Sequence, residues 1–272
     1  MIRYAKKSDI PALKALWKEI FNDTNEYIEL FFDSIKIQTQ ALVYETDNTI
    51  IGMLFFTDYD VKIDSTIKKA SYISGIGITE NERRKGLMQV LLNNALDILE
   101  KRNTDYALLI PATTELYKTY HNFGFEKTIT LHTFTITRDE IQKAEELELK
   151  QGPLPIFIYE NLTKSLNNIV LQSKNNIITN NQYIKESYGN IIYYNDGFCY
   201  YYFDKTTLIL KECFINEEDL PKILWYFKKQ FDFEKVIIHS YYNLGNETHK
   251  GMVRPLNGSD VPKELYMNMM LD

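Results

Sequence analysis

From about residue 70 to residue 110 the chain reads strand, charged turn, helix, strand, and this stretch limits the fold more than any other. Ala70 to Ile78 is strand-like, and Thr79-Glu80-Asn81-Glu82-Arg83-Arg84-Lys85-Gly86 is polar and charged. Leu87 to about Lys101 then carries Leu87, Val90, Leu91, Ala95, Leu96, Ile98 and Leu99 at helical spacing. Asn103-Thr104-Asp105 stops that helix, and Tyr106 to Ile110 is strand again, ended by Pro111. Upstream, residues 1 to 5 form a short strand, and Ser8 or Asp9 caps a helix carrying Leu13, Leu16, Trp17, Ile20 and Phe21. A second amphipathic helix holds Tyr27, Ile28, Phe31, Phe32 and Ile35. Strands at Ala41 to Glu45 and Ile50 to Thr57 flank the polar connection Thr46-Asp47-Asn48-Thr49, a hairpin pattern. Downstream, Leu116, Tyr117 and Tyr120 mark a helix closed by Gly124, with more strand beyond.

The order then repeats. Strands are predicted at Ile191 to Asn195, Phe198 to Asp204 and Leu208 to Phe214, a helix from about Glu217 to Phe231, and a strand at Lys235 to Tyr241. The halves share no obvious identity, so the repetition is one of pattern: an internal duplication. The charged run Arg138 to Lys150, followed by Gly152-Pro153, reads as a polar helix or linker and puts the boundary near 145, giving domains 1–145 and 146–272. The expected class is α+β, with two related folds, each a mixed, mostly antiparallel sheet flanked by helices.

Composition removes several functions. The formal charge of −6 argues against a general nucleic-acid binder and suits a cationic substrate. The start, Met1-Ile2-Arg3-Tyr4-Ala5-Lys6-Lys7, is too polar for a secretory leader, and no run nears the roughly 20 apolar residues of a membrane span, so a cytoplasmic protein without a membrane partner is expected. Cys199 and Cys213 fall in strands without CxxC or Cys/His spacing; they read as buried filler, and no metal site is expected. The 20 tyrosines and 15 phenylalanines cluster like strand residues, so packing is their first explanation and they identify no ligand.

The chemistry concentrates at Arg83-Arg84-Lys85-Gly86-Leu87-Met88. A helix start offers unpaired backbone N–H groups and a positive dipole end, so basic residues and a glycine there make a pyrophosphate cradle. The same six residues are equally consistent with a solvated loop and a plain helix start. They resemble, however, the RxxGxG/A acyl-CoA signature of the GNAT superfamily, and they lie where that family has it, between a central strand and a long helix. The resemblance implies that Arg83, Arg84, Lys85, Gly86, Leu87 and Met88 hold the cofactor's pyrophosphate. It also implies that the backbones of Ile76, Gly77 and Ile78 pair with the pantetheine arm as an added strand would. Met88 departs from the family's usual small residue.

A second signature, Leu116-Tyr117-Lys118-Thr119-Tyr120-His121-Asn122-Phe123-Gly124-Phe125, resembles the family's YxxxGF helix ending, with Tyr120 as the matching tyrosine. An isolated tyrosine in so aromatic a chain would be read as core; behind the first signature, Tyr120 is read as the general acid beside the CoA sulfur. Tyrosine titrates near 10 and a thiol near 8.5, so full transfer is uphill by roughly 2 kcal/mol and a strong hydrogen bond is the more economical role. His121 points to another helix face and is surface. Thr113 and Thr114 serve equally well as helix caps or as contacts to the CoA arm.

The two signatures with a trailing GNAT-like half resemble the Eis-type acetyltransferases, firmly over about residues 1 to 135 and loosely afterwards. Gly251-Met252-Val253-Arg254-Pro255-Leu256 looks like the closing strand of the second domain. Eis proteins carry a third, sterol-carrier-like domain whose terminal carboxylate enters the active site; 272 residues leave no room for it, so the resemblance assigns no base to Asp272. In the second half the equivalent turn, Phe214 to Pro221, carries Glu217, Glu218 and Asp219, which would repel CoA. The resemblance thus implies one working domain that transfers an acetyl or short acyl group from acetyl-CoA to a primary amine of a small molecule or peptide, without a metal. Asp58, Asp60 and Glu115 are unranked candidates for the base. Two other readings stay open: a silent acyl-CoA sensor or scaffold, and a tandem-GNAT aminoacyltransferase using charged tRNA, against which the acidic charge counts. The sequence sets neither acceptor nor oligomeric state.

Overall fold

The amphipathic segments all become elements in the computed structural model, which describes residues 1–186 and 189–267. Asp272 lies outside the described residues. The chain divides into two units, one formed by residues 1–61, 66–127 and 251–262, the other by 62–65, 128–250 and the described residues from 263 onward.

In the first unit, β1 (Ile2–Tyr4) leads to α1 (Ile10–Phe21), α2 (Asn25–Ser34) and the short α3 (Ile37–Gln40). The apolar stripes predicted for α1 and α2 bury Leu13, Leu16 and Trp17, and Ile28, Phe31 and Phe32. Asp9 makes no side-chain cap at α1; its carboxylate instead accepts from the Lys6 N–H and from Arg3. Strands β2 (Ala41–Thr46) and β3 (Thr49–Ile63) form the hairpin, and Asp47 and Asn48 both take positive φ (49° and 59°), as a two-residue turn with the right twist requires. β4 (Thr66–Ile78), α4 (Leu87–Lys101), β5 (Tyr106–Leu109) and α5 (Thr114–His121) complete the run. On α4 the core face is Leu91, Leu92, Ala95, Leu96 and Leu99, whereas Val90 is exposed.

The second unit holds β6 (Glu126–Thr137, from Thr128 on), β7 (Lys150–Gln151), α6 (Ile156–Thr163), β8 (Ile169–Leu171) and α7 (Lys174–Glu186). It continues with β9 (Asn190–Tyr194), β10 (Gly197–Asp204), β11 (Thr207–Phe214), α8 (Leu220–Gln230) and β12 (Lys235–Ser240). β13 (Asn246–Pro255) begins here and β14 (Leu265–Tyr266) ends the described chain. One face of its sheet packs Cys199, Tyr201, Leu210 and Cys213 against Ile223, Leu224 and Phe227 of α8. The other packs Phe198, Tyr200 and Phe214 against Ile158 and Tyr159 of α6 and Ile177 and Ile184 of α7. Cys199 and Cys213 are register partners on β10 and β11, both buried as free thiols.

Both units use the same order. An antiparallel meander (β2-β3-β4; β9-β10-β11) is followed by a helix and a strand parallel to the last of the three, β5 beside β4 and β12 beside β11. In each unit an antiparallel strand then covers the far side of that parallel strand. For β12 this strand is β6; for β5 it is the end of β13, with Met252↔Leu109, Val253↔Leu108, Arg254↔Ala107 and Pro255↔Tyr106 in register.

That pairing corrects one expectation. Gly251 to Leu256 closes the first unit, not the second. Met252 and Leu256 enter the core formed by Leu91, Leu96, Ala107 and Phe125, the Arg254 guanidinium donates to the Phe123 carbonyl (2.8 Å), and the Asn257 amide donates to the carbonyls of Glu100 and Thr104. The division also differs from the expected cut at 145, because the chain leaves the first unit after Lys127 and returns at Gly251. Residues 138–150 form no helix. Their charges are spent on α8: Arg138 donates to the Lys228 carbonyl, Lys228 to the Ile141 carbonyl, and Lys229 pairs with Glu146.

Candidate functional site

The site begins with a defect in β4. Ile73 belongs to the core on the α4 face and Ile76 packs against that same core, although residues three apart in a regular strand point to opposite faces. Gly75 supplies the extra residue with φ of +55°, a β-bulge. On the other face a Cβ on Gly75 would lie 2.7 Å from the Trp17 ring and 2.8 Å from the Phe55 ring, and one on Gly77 would lie 2.5 Å from Ile20 Cδ1. Both glycines are therefore positions where α1 and β3 press on bare backbone.

The bulge separates β4 from β5. Their parallel pairing covers Ala70↔Tyr106, Ser71↔Ala107 and Tyr72↔Leu108 and stops there, while β4 runs on to Ile78. The gap is a cleft of about 780 Å³. Ile76, Gly77 and Ile78 form one wall; Glu82, Arg83, Arg84, Gly86, Leu87, Met88 and Gln89 form the charged end; Thr113, Leu116 and Thr119 form the opposite side, with Ile20 of α1 behind β4. Three segments far apart in sequence thus meet in one cavity, of a volume typical of ligand sites.

At the charged end, Arg84 takes φ of +62° and Gly86 +77°, which turns the chain sharply into α4. No side chain caps the first turn of α4, and the first helical bond is Val90 N–H to the Gly86 carbonyl. The leading amides therefore face outward beside Arg84, an arrangement suited to an anion. The basic residues differ in their commitments. Arg83 Nε donates to the Ile78 carbonyl (3.1 Å) and ties the turn to the end of β4, while Lys85 pairs with Glu82 (3.0 Å) and does not line the cleft. Arg84 has no hydrogen-bond or ion-pair partner to give up among the described residues and is exposed. We expect Arg84→Glu to weaken binding of a phosphate-bearing ligand by about tenfold or more, and Lys85→Glu by less, with the denaturation midpoints of both within about 0.5 kcal/mol of wild type. Titration calorimetry of the two variants checks the ranking.

Tyr120 and Thr114 do not line the cleft, though their neighbours Thr119 and Thr113 do. Tyr120 is 7% exposed, and its ring packs edge-on against Phe125 at 6.0 Å in the α4-side core. No described residue hydrogen-bonds its hydroxyl, and that oxygen is not among the sealed, unpartnered polar atoms, so it keeps a path to solvent. Burial pushes its pKa up to about 12. The group stays protonated at neutral pH, which makes it a hydrogen-bond donor. His121 is exposed, 3.5 Å from Glu126. Of the candidate bases, Asp58 accepts from Ser71 Oγ (3.0 Å), five residues along β4 from Ile76 and so roughly 17 Å up the strand. Glu115 is exposed, with its carboxyl held below the usual range by its own backbone N–H and by Thr113.

Sequence reasoning missed Ile20, Glu82, Gln89, Leu116 and Thr119 as lining residues. Leu116 and Thr119 share a helix face at three-residue spacing, which was a usable signal; Ile20 was not distinguishable from the other core positions of α1.

The second unit lacks both features. The parallel pairing of β11 and β12 runs from Thr207↔Lys235 to Leu210↔Ile238, shifts register there and resumes at Cys213↔Ser240, so the strands stay joined at their ends. At the start of α8 stands Asp219, whose carboxylate accepts from Tyr194 Oη (2.9 Å), Asn216 Nδ2 (3.0 Å) and Lys222 Nζ (2.9 Å) and puts a negative charge at the helix start. Among the described residues no cluster of three or more His, Cys, Asp or Glu is placed to hold a metal ion, and no helix is long and apolar enough to cross a membrane.

Comparison with known proteins agrees with this geometry. The sequence profile of the acetyltransferase (GNAT) domain matches residues 1–128. No curated protein matches the sequence. Among solved structures, a probable N-acyltransferase from Enterococcus faecalis, described as a conserved protein of unknown function, superposes with a TM-score of 0.77 at 14% identity, over 94% of this chain and 72% of that one. A GCN5-related N-acetyltransferase from Kribbella flavida gives 0.75 at 12% identity, covering 94% and 71%. Eis1 from Mycobacterium abscessus gives 0.71 at 10%, covering 94% and 74%. At these identities the superpositions establish a shared fold, and the profile match identifies residues 1–128 as an acetyltransferase (GNAT) domain.

Proposed function

We propose that the first unit transfers an acetyl group from acetyl-CoA to a primary amine of a small molecule or peptide. The observation that carries this reading is the cleft itself, in which the open edge of β4, the uncapped start of α4 and the face of α5 converge. The pyrophosphate is assigned to the amides of Leu87 to Gln89 and to Arg84. The pantetheine arm is assigned to the backbone of Ile76 to Ile78, which β5 leaves unpaired, and its apolar contacts to Met88 and Leu116. Arg83 acts on the arm indirectly, by holding the end of β4. Direct attack of the neutral amine on the thioester needs no acyl-enzyme, and Tyr120 donates to the departing sulfur. The second unit, with its parallel strands paired to their ends and a carboxylate, Asp219, at its helix start, carries no CoA.

Acetyl-CoA is therefore expected to bind once per chain and to raise stability by about 2.7 kcal/mol at a hundredfold excess over its dissociation constant. Titration calorimetry checks the stoichiometry: two sites, or no binding at millimolar CoA, would contradict it. Turnover over a panel of amines, followed by free thiol and product mass, separates an enzyme from a silent binder.

A further inference from the structure

The α1 side of the cleft is built from large apolar groups set directly on glycine backbone. Trp17 and Ile20, one helical turn apart, sit on Gly75 and Gly77, two strand residues apart on the same face. Ile20 lines the cleft and is half-buried; Trp17 lies behind it, buried, its indole N–H held by Asp23 at 2.7 Å and its ring packed on Phe31 at 4.3 Å and Phe55 at 5.5 Å. Met53 closes the remaining side, 3.5 Å from the position a Cβ on Gly77 would take. Ile20 is thus a replaceable tip on a rigid aromatic base.

We propose that Ile20, backed by Trp17, is the wall that sets the length of acyl chain the cleft accepts, and that it restricts the donor to acetyl-CoA. The proposal rests on the reading that CoA occupies this cleft. With the pyrophosphate at the start of α4, the acyl end is assigned to the apolar lining residues Ile20, Ile76 and Leu116. In an open apolar slot each added methylene would tighten binding about fourfold. Against a wall backed by packed aromatic rings, added methylenes find no room, and overpacking is itself unfavourable. Replacing Ile20 by alanine removes three carbons from the wall and leaves Trp17 in place.

The test is titration of the full chain with CoA, acetyl-CoA, butyryl-CoA and hexanoyl-CoA, for wild type, Ile20→Val and Ile20→Ala. Wild type is expected to bind acetyl-CoA at least tenfold more tightly than hexanoyl-CoA. Ile20→Ala should reverse the order, with butyryl-CoA gaining about fifteenfold over acetyl-CoA relative to wild type, and Ile20→Val should fall between the two. CoA lacks an acyl group, so within each variant the acyl lengths are read relative to CoA, and the chemical-denaturation midpoint reports that the variants fold. Ile20→Val supplies the graded answer should the alanine variant be unstable. Equal affinities for all acyl lengths in wild type, or discrimination unaltered in the variants, would overturn the gauge while leaving CoA binding intact. Failure of wild type to bind CoA at all would overturn the reading beneath it as well.

Discussion

Tyr120→Phe is expected to lower turnover by roughly 10²- to 10⁴-fold, or about 3 to 5 kcal/mol of barrier, while CoA affinity and the denaturation midpoint scarcely move. The structure sharpens this expectation in two ways. With the phenol pushed up to about 12 and a thiol near 8.5, full transfer of the proton would be uphill by roughly 5 kcal/mol, so a hydrogen bond to the departing sulfur is the role left to it. The hydroxyl also has no hydrogen-bond partner among the described residues, so its removal leaves no buried group unsatisfied and the ring keeps its packing on Phe125. A loss of turnover in this variant therefore reports on chemistry, not on folding. The measurement is single-turnover kinetics with a working amine, beside CoA titration and chemical denaturation. Near-wild-type single-turnover rates would remove Tyr120 from the reaction.

The second large effect concerns Glu212, a residue of the second unit with no part in the proposed chemistry. Its side chain is fully buried on β11; Oε1 accepts from Gln172 Nε2 (3.0 Å), Gln172 in turn accepts from Asn180 (2.7 Å), and Oε2 has no partner. Burial pushes its pKa from 4.5 up to about 8, against smaller lowering contributions from Gln172, Lys211 and Lys250. The sign follows directly. Below pH 4.5 the carboxyl is neutral in both states and its contribution is fully present. Between 4.5 and 8 only the unfolded chain releases the proton, so stability falls by about 1.4 kcal/mol per pH unit, reaching a loss of about 4 to 5 kcal/mol near pH 8. Glu212→Gln keeps the acceptor for Gln172 and cannot ionise. Urea denaturation of both proteins from pH 4.5 to 8.5 should show curves that diverge as pH rises, with the variant more stable. Parallel curves would mean that Glu212 ionises in the fold.

Periodicity made most elements legible, because α1, α2, α4 and α8 bury clean stripes and the β2–β3 turn requires residues such as Asp47 and Asn48 that tolerate positive φ. The stretch between 150 and 190 resisted reading for an equally physical reason. α7 is Lys-Asn-Asn-Ile-Ile-Thr-Asn-Asn-Gln-Tyr-Ile-Lys-Glu, in which Asn180 is buried through a hydrogen bond to Gln172 that no hydropathy pattern reveals. At the candidate site, the turn and the helix of Tyr120 were visible from residue type and spacing. The bulge was not, since Gly75 and Gly77 look alike in sequence and only the left-handed φ of the first separates the strands. Nor could spacing show that Arg83 and Lys85 are engaged by Ile78 and Glu82, leaving Arg84 as the cation that faces the cleft.

The return of residues 251–262 to the first unit has a consequence for biogenesis. Translation delivers that unit's sheet through β5 well before the strand that covers β5, since the 123 residues from 128 to 250 come between. At about 5 to 20 residues per second the ribosome needs roughly 6 to 25 s to make them. Through that interval β5 offers a bare hydrogen-bonding edge, with the buried seats of Met252 and Leu256 empty beside it, the kind of edge that recruits foreign strands. The nascent first unit is thus open to wrong strand pairing by virtue of its chain path, and a chain cut after residue 127 is expected to keep that edge bare.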